Sequence, residues 1–300
     1  MPAQTRDCGA ATTPAMRGHR GLQRRGEHTV SETTNTSPAK IRVGVGGWTF
    51  EPWRDNFFPT GWSHARELAY ASRKLTAIEV NGTYYSSQKP ATFAKWRDET
   101  PDDFMFSLKA SRFATNRRVL AEAGESIERF VNQGIAELAH KLGPIVWQFA
   151  PTKRFEPDDF EAFLKLLPAS VAGLPLRHVL DVRHDSFKTP DYLALARHYR
   201  AATVFTDSDD YPSFADVTGG FVYARLMRTD ATQPDGCPPS FFPPLAACAH
   251  AWRDGAEPAG VPRIEPAAVK AAPRDVFLYF ISGAKEKAPA AALALIEALG

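Results

Sequence analysis

Only three cysteines, Cys8, Cys237 and Cys248, occur among the 300 residues. Their number is odd, no CxxC spacing links them, and no histidines flank them at zinc-ligand intervals, so neither a disulfide framework nor a structural zinc site is indicated. A reduced, cytoplasmic setting is the expectation. Long apolar runs are also missing: Gly143 to Ala150 and Val276 to Ile281 fall well short of the roughly 20 residues that a membrane-spanning helix needs. No membrane span is expected. Strong charge of either sign is lacking too. Residues 1 to 40 carry Arg6, Arg17, Arg20, Arg24, Arg25 and Lys40 against Asp7, Glu27 and Glu32, a surplus of three, and the whole chain is +2, which leaves −1 for the remainder. A globally basic nucleic-acid binder is disfavoured, whereas a local basic cleft stays open, because steering depends on where charges sit. The glycine-rich turn of a dinucleotide fold is absent as well: Gly44, Val45, Gly46, Gly47 lacks the required spacing, which weighs against an open doubly wound sheet.

What the chain does contain is 44% hydrophobic and 23% charged residues, enough to bury a sizeable core. The first forty residues do not contribute to that core. They are rich in Arg, Thr, Gly and Pro and have neither helical nor strand periodicity. The expectation for 1 to 40 is a disordered N-terminal extension, or a start site placed too early with Met16 as another candidate. Their Arg-rich, acid-poor character superficially suggests a transit peptide.

From Ile41 onward, short β-rich runs alternate with amphipathic helical runs, the pattern of a parallel sheet with crossover helices. Eight strands are predicted: Ile41 to Gly46, Ala77 to Asn81, Met105 to Lys109, Ile145 to Phe149, His178 to Arg183, Thr203 to Thr206, Phe221 to Leu226 and Val276 to Ile281. Helices are predicted over Ser63 to Lys74 with a Ser cap, and over Pro90 to Asp98, Ser126 to Lys141, Pro157 to Leu167, Pro190 to Tyr199, Pro244 to Arg253 and Pro289 to Leu299. Several start at Pro, where a missing N–H costs nothing. Two stretches break the rhythm. Asp207 to Gly219 has no helical repeat, so one crossover should be irregular, and the Ala- and Pro-rich Ala256 to Pro273 reads as a long surface excursion. Eight such units over residues 41 to 300 imply one α/β domain, a (β/α)8 TIM-like barrel.

Several local motifs sharpen this. GVGGWTFEPW at Gly44 to Trp53 resembles a G-x-x-G-W-x-Y-x-x-W opening, IEVNGTYY at Ile78 to Tyr85 resembles V-E-I-N-x-T-F-Y, and PDDFMFSLK at Pro101 to Lys109 resembles P-x-x-F-x-F-x-x-K. Further on, Leu142 to Pro151 is similar to L-G-P-x-L-x-Q-x-P-P, Asp181 to Phe187 to E-x-R-H-x-S-W, and Val222 to Leu226 to V-Y-x-R-L. In this order the motifs resemble the YecE-like family, domain of unknown function 72. The resemblance implies a barrel without an assigned reaction, related in shape to sugar isomerase and repair endonuclease barrels. Three departures stand out: Asp181 replaces the usual Glu, Met227 and Arg228 replace His-Gly, and Phe280, Ile281, Ser282 stand where F-N-N is usual.

In a TIM barrel, chemistry gathers at the carboxyl ends of the strands. Strand by strand the polar candidates there are Trp48, Glu79 with Asn81, Lys109, Gln148, Asp181 with Arg183 and His184, Asp207, Arg225 and Ser282. Alternation puts Glu79 and Asn81 on one face, and likewise Asp181 and Arg183. A carboxylate at Glu79 is costly to bury without a partner, and Lys109, Arg183 and Arg225 are the natural ones. Two readings follow. The residues form an internal salt-bridge layer, or a surplus of cations leaves a site for a phosphate or carboxylate.

The functional reading assigns catalysis to Glu79, His184 and Lys109, with Glu79 or His184 transferring protons. Substrate binding falls to Trp48, Asn81, Tyr84, Gln148, Asp181, Arg183, Asp207 and Arg225. Trp48, Trp53, Tyr84 and Tyr85 are either stacking platforms or packing under loops. Lys109 is also a Schiff-base candidate if neighbouring arginines lower its pKa. No metal is assigned: Glu79, Asp181, His184 and Asp207 are suitable types, but Lys109, Arg183 and Arg225 would compete for the carboxylates and repel a cation. No motif names a cofactor. Three functions therefore stand side by side: an enzyme for a phosphorylated or otherwise anionic small molecule, a nucleic-acid-binding or processing barrel, and a non-catalytic binding barrel, to which the replaced His and Asn lend weight. Oligomeric state is not legible.

Overall fold

The structure, a computed structural model, describes residues 38–267 and 271–300. Residues Pro38–Gly300 form one compact unit. The expectation of a disordered extension lies outside the described residues except at its end, where Lys40 belongs to the barrel. Its N–H donates to Asp275 at 3.0 Å and its Nζ pairs with Asp103 at 2.7 Å.

Eight parallel strands close into a barrel. They are β1 (Ile41–Gly46), β2 (Ala77–Val80), β3 (Met105–Lys109), β4 (Leu142–Gln148), β5 (His178–Asp181), β6 (Ala202–Thr206), β7 (Phe221–Leu226) and β8 (Asp275–Phe280). Each pairs with its sequence neighbour, and β8 closes on β1 through pairs such as Val45 with Phe280. The strands are buried on both faces because helices cover the outside and side chains fill the inside. Alternation sorts the residues. Val43, Ile78, Phe106, Trp147, Leu180, Ala224 and Leu278 belong to the core beneath the helices, whereas Ala77, Val146, Val179, Val204, Tyr223, Phe277 and Tyr279 form a second cluster along the barrel axis. Gly44 is needed in this packing: a Cβ there would come within 2.0 Å of the Ala77 carbonyl oxygen and 3.2 Å of the Tyr279 ring.

Every predicted strand is present, with ends shifted by up to three residues. The helices differ more. Ser63 makes no side-chain cap; the chain enters through a 3-10 turn, His64–Arg66, and a short α-helix, Glu67–Ala71. The single helix expected over Ser126 to Lys141 is two pieces, Gly124–Val131 and a 3-10 segment Ile135–Lys141, separated at Gly134 with φ 115°. There the backbone passes so close to Pro90 that a Cβ would meet it at 2.7 Å. A small hairpin, Ser170–Val171 with Leu174–Pro175, precedes β5.

The sixth crossover has no helix, as the sequence predicts. The described part of the expected surface excursion is tied to this crossover by hydrogen bonds. Ala215 donates its N–H to the Pro262 carbonyl at 2.8 Å, and the Asp216 carboxylate accepts from Ile264 N–H at 2.9 Å and Glu265 N–H at 3.0 Å. Asp216 is buried. Asp216→Ala leaves two backbone donors without their acceptor, so a loss of about 1–3 kcal/mol in urea unfolding is expected, together with faster proteolysis near residue 262. An unchanged midpoint would mean the two segments are not mutually supporting.

Candidate functional site

The ends of β2, β4, β5 and β7 bring five of the sequence candidates into one hydrogen-bonded layer. Glu79 is wholly buried. Arg225 meets it side-on, with Nε 3.1 Å from Oε2 and Nη2 3.0 Å from Oε1, while its Nη1 donates to Asp181 Oδ2 at 2.5 Å and Gln148 Oε1 at 3.2 Å. The planar fork of arginine fits this task, since a lysine could not serve two carboxylates and an amide in fixed directions. Arg183 completes the layer: Nη2 lies 3.0 Å from Asp181 and 2.9 Å from Gln148, and the guanidinium stacks 4.3 Å over the Tyr211 ring. Asp181 thus reaches Arg225 without a gap.

Beneath this layer Tyr223 donates its hydroxyl to Glu79 Oε2 at 2.8 Å, and Ser107 and Tyr279 share a hydrogen bond of 2.7 Å. Burial pushes the Tyr223 hydroxyl well above its usual pKa, with Glu79 adding to the effect, so the proton stays on the tyrosine and points at the carboxylate. Arg225 is held above its ordinary range despite burial, because Glu79 and Asp181 outweigh the desolvation. Both Glu79 oxygens are therefore occupied. Tyr223→Phe removes one donor to a buried carboxylate and is expected to cost about 1–3 kcal/mol of stability, read from thermal unfolding; no cost would show that the hydroxyl is not holding Glu79.

Lys109, at the end of β3, is the cation left over. Its Nζ sits 4.2 Å over the Tyr84 ring, and among the described residues no carboxylate pairs with it. The local chain arranges this contact. After β2 the backbone turns into a short helix, Gly82–Tyr85, and Thr83 donates its hydroxyl to the Lys109 carbonyl at 2.7 Å, which places Tyr84 beside the amine. Burial lowers the Lys109 pKa to about 8, with Arg225 the next contributor, against partial opposition from Glu79 and Asp181. Three cations, Lys109, Arg183 and Arg225, thus face two carboxylates.

The other candidates lie apart from the layer. Trp48 and Asn81 line a recess of about 320 Å³ at the ends of β1 and β2, together with Lys285, whose Nζ is 4.5 Å from the Phe50 ring. Trp48 also packs edge-on against Trp96 at 5.2 Å, so both packing and lining apply to it. His184 belongs to a turn: its Nδ1 accepts from Ser186 N–H at 3.1 Å and meets Ser186 Oγ at 2.9 Å, which caps Asp185–Phe187. That commitment removes Nδ1 from proton transfer. Asp207 accepts from Met227 N–H at 2.6 Å through Oδ1, linking the ends of β6 and β7; its other oxygen is buried without a hydrogen-bond partner among the described residues, and burial raises its pKa. Ser282 offers its carbonyl to Thr229.

Tyr223, Thr83 and Tyr211 were not among the sequence candidates. Tyr223 could have been found, because it is two residues before Arg225 and so shares its face; Tyr211 sits in the helix-free crossover, where no periodicity assigns a direction. Among the described residues no group of three or more His, Cys, Asp or Glu is placed to hold a metal, and no helix is long and apolar enough to cross a membrane.

Residues 42–300 match the family described as "Protein of unknown function DUF72". The chain belongs to the DUF72 family. Curated relatives include "UPF0759 protein YecE" of Escherichia coli (strain K12), 27% identical over 150 residues, 49% of this chain and 50% of the relative. "UPF0759 protein YunF" of Bacillus subtilis (strain 168) is 23% identical over 157 residues, 51% of this chain and 54% of that one. The chain spans about half the length of the curated relatives it matches. Solved structures of DUF72 family proteins share the fold. One from Thermotoga maritima superposes with a TM-score of 0.64 at 18% identity, covering 86% of this chain and 98% of the other; one from Enterococcus faecalis gives 0.63 at 17%, covering 87% and 95%. The layer from Glu79 to Arg225 therefore sits at the mouth of a DUF72 barrel.

Proposed function

We propose that this DUF72 barrel binds a small anionic molecule, a phosphate or carboxylate compound, at its carboxyl-end mouth, and that Lys109 is the group that meets the anion. The observation that carries this is the unpaired amine. Arg225 and Tyr223 engage both oxygens of Glu79, and Asp181 receives Arg225 and Arg183 through Oδ2, so the surplus positive charge resides on Lys109 and on the outer edge of Arg183, whose Nη1 makes no hydrogen bond among the described residues. Glu79 then acts as a positioning residue that fixes Arg225, in place of the proton-transfer role assigned from sequence. With a pKa of about 8, roughly a tenth of the Lys109 amine is neutral at pH 7, far more than for an ordinary lysine. That suits it to proton exchange with a bound substrate and keeps an enzymatic role in view. The free thiols Cys237 and Cys248 support a reducing, cytoplasmic setting.

Calorimetric titration of the full chain with inorganic phosphate and a panel of small carboxylates tests the reading. Lys109→Met should remove one bound equivalent or weaken it by roughly tenfold or more, and Lys109→Arg should restore part of it. Equal binding by wild type and Lys109→Met would refute the assignment.

A second reading, a single nucleic-acid strand laid over the rim, draws on two exposed aromatics. Tyr85 and Phe113 are 62% and 58% exposed, and the Arg112 guanidinium is 5.9 and 5.4 Å from their rings. Titration with labelled single-stranded DNA at several salt concentrations separates the two, because strand binding would weaken steeply with salt.

A further inference from the structure

A second recess opens on the rim between the segment after β3 and the segment after β4. It has a volume of about 560 Å³ and takes its walls from Thr115 to Arg118 and from Ala150 to Asp159, a size within the range of small-molecule sites. Four cations line it, Arg117, Arg118, Lys153 and Arg154, against two carboxylates, Glu156 and Asp159. Asp159 is already engaged. It accepts the backbone N–H groups of Leu120 and Ala121, both at 3.0 Å, and lies 3.5 Å from Lys153 Nζ. Although burial opposes it, these donors hold its pKa below the usual carboxylate range. Arg117 is likewise committed, donating to the Phe113 carbonyl and to Ser126. Arg118 and Arg154 remain as guanidiniums without a side-chain partner among the described residues.

An independent feature points to a ligand here. Thr115 lines the recess, is 1% exposed, and its hydroxyl oxygen is buried without any hydrogen-bond partner among the described residues. A native chain rarely leaves a buried hydroxyl unused, since the lost bond to water is not replaced. A phosphate oxygen in the recess would supply the acceptor once rotation about the Thr115 Cα–Cβ bond brings the hydroxyl out of the wall. The surplus of two positive charges matches a doubly charged group better than a singly charged one, and a guanidinium presents the fork geometry that phosphate oxygens accept.

We infer that this rim recess is a binding site for the phosphate group of a small phosphorylated ligand, held by Arg118, Arg154 and the Thr115 hydroxyl. The site is separate from the barrel mouth and does not rest on the reading given for it. The two are neighbours through Asn116, whose Nδ2 lies 3.4 Å from the Tyr84 hydroxyl, on the ring that carries Lys109.

The test is calorimetric titration of the full chain with pyrophosphate and, separately, with a labelled oligonucleotide. Wild type and Lys109→Met should both bind pyrophosphate at the recess, and the Arg118→Ala/Arg154→Ala double variant should weaken that binding by roughly a hundredfold or more. Because both arginines are exposed, the double variant should keep the wild-type unfolding midpoint. Thr115→Val should weaken binding by about three- to tenfold with no loss of stability, since its hydroxyl makes no bond in the free protein. Pyrophosphate binding that survives the double arginine change, or is lost only in Lys109→Met, would overturn the recess while leaving the mouth standing. No pyrophosphate binding, or binding of the oligonucleotide alone, would overturn it as well.

Discussion

Replacing Arg225 by methionine is expected to destabilise the barrel by about 3–5 kcal/mol, because it strands two buried carboxylates in a site built around one guanidinium. Glu79 and Asp181 are 0% and 3% exposed, and Arg225 is the group that touches both. No reorganised water shell is at hand for Glu79, which lies among Tyr223, Ser107 and Tyr279 in the axis of the barrel. The same argument predicts a rescue. Combining Arg225→Met with Glu79→Gln and Asp181→Asn removes the uncompensated charge, and most of the loss should return in urea unfolding. A single-variant loss below about 1 kcal/mol, or no rescue by the amides, would show that the layer is not the fixed ionic unit described.

Lys109→Met is expected to move stability the other way. The native amine titrates near 8 and an unfolded one near 10.5, so between those values the unfolded chain binds more protons than the native chain, and unfolding free energy rises with pH across that window. Below it both forms are charged and the native state bears the cost of burying an ammonium. Methionine removes that cost, so the variant should be more stable at pH 7 by about 3 kcal/mol. The advantage should shrink as pH rises through 8 towards 10.5 and level off above. Chemical unfolding of both proteins across that range reads the effect. A site that gains stability on losing its key residue while losing its ligand is the pattern expected where function, not packing, keeps the lysine. A pH-independent difference, or a less stable variant, would contradict the burial of an unpaired amine.

The barrel was legible because its strands are short runs bounded by strong breakers, and three of the eight, β1, β3 and β7, have the predicted ends. Segments whose shape depends on a distant contact were not. The break at Gly134 follows from its approach to Pro90, and the Asp216 carboxylate that binds Ile264 and Glu265 joins two stretches that read separately as a poor crossover and a long loop. The candidate site divides in the same way. The strand ends gather Glu79, Gln148, Asp181, Arg183 and Arg225 into one layer, and alternation paired Asp181 with Arg183 because strand direction is a local property, whereas Asn81, paired with Glu79 in the same way, lines a separate recess. Alternation could not say which cation would meet which carboxylate. That outcome depends on reach across the barrel, where Arg225 takes both acids and leaves Lys109 with Tyr84. His184, a candidate for proton transfer because of its residue type and its place after Arg183, lies one step further along the strand end, where the direction reverses, and its Nδ1 caps a turn.

The central claim, an unpaired Lys109 amine that awaits an anion, is tested most directly by NMR titration of the lysine amines, with the Lys109 signal assigned by its absence in Lys109→Met. The amine should titrate near 8 in the free protein and shift upward when inorganic phosphate is added, because a bound anion favours the charged form. An amine that titrates at the ordinary 10.5, or one whose titration phosphate leaves unmoved, would contradict the account.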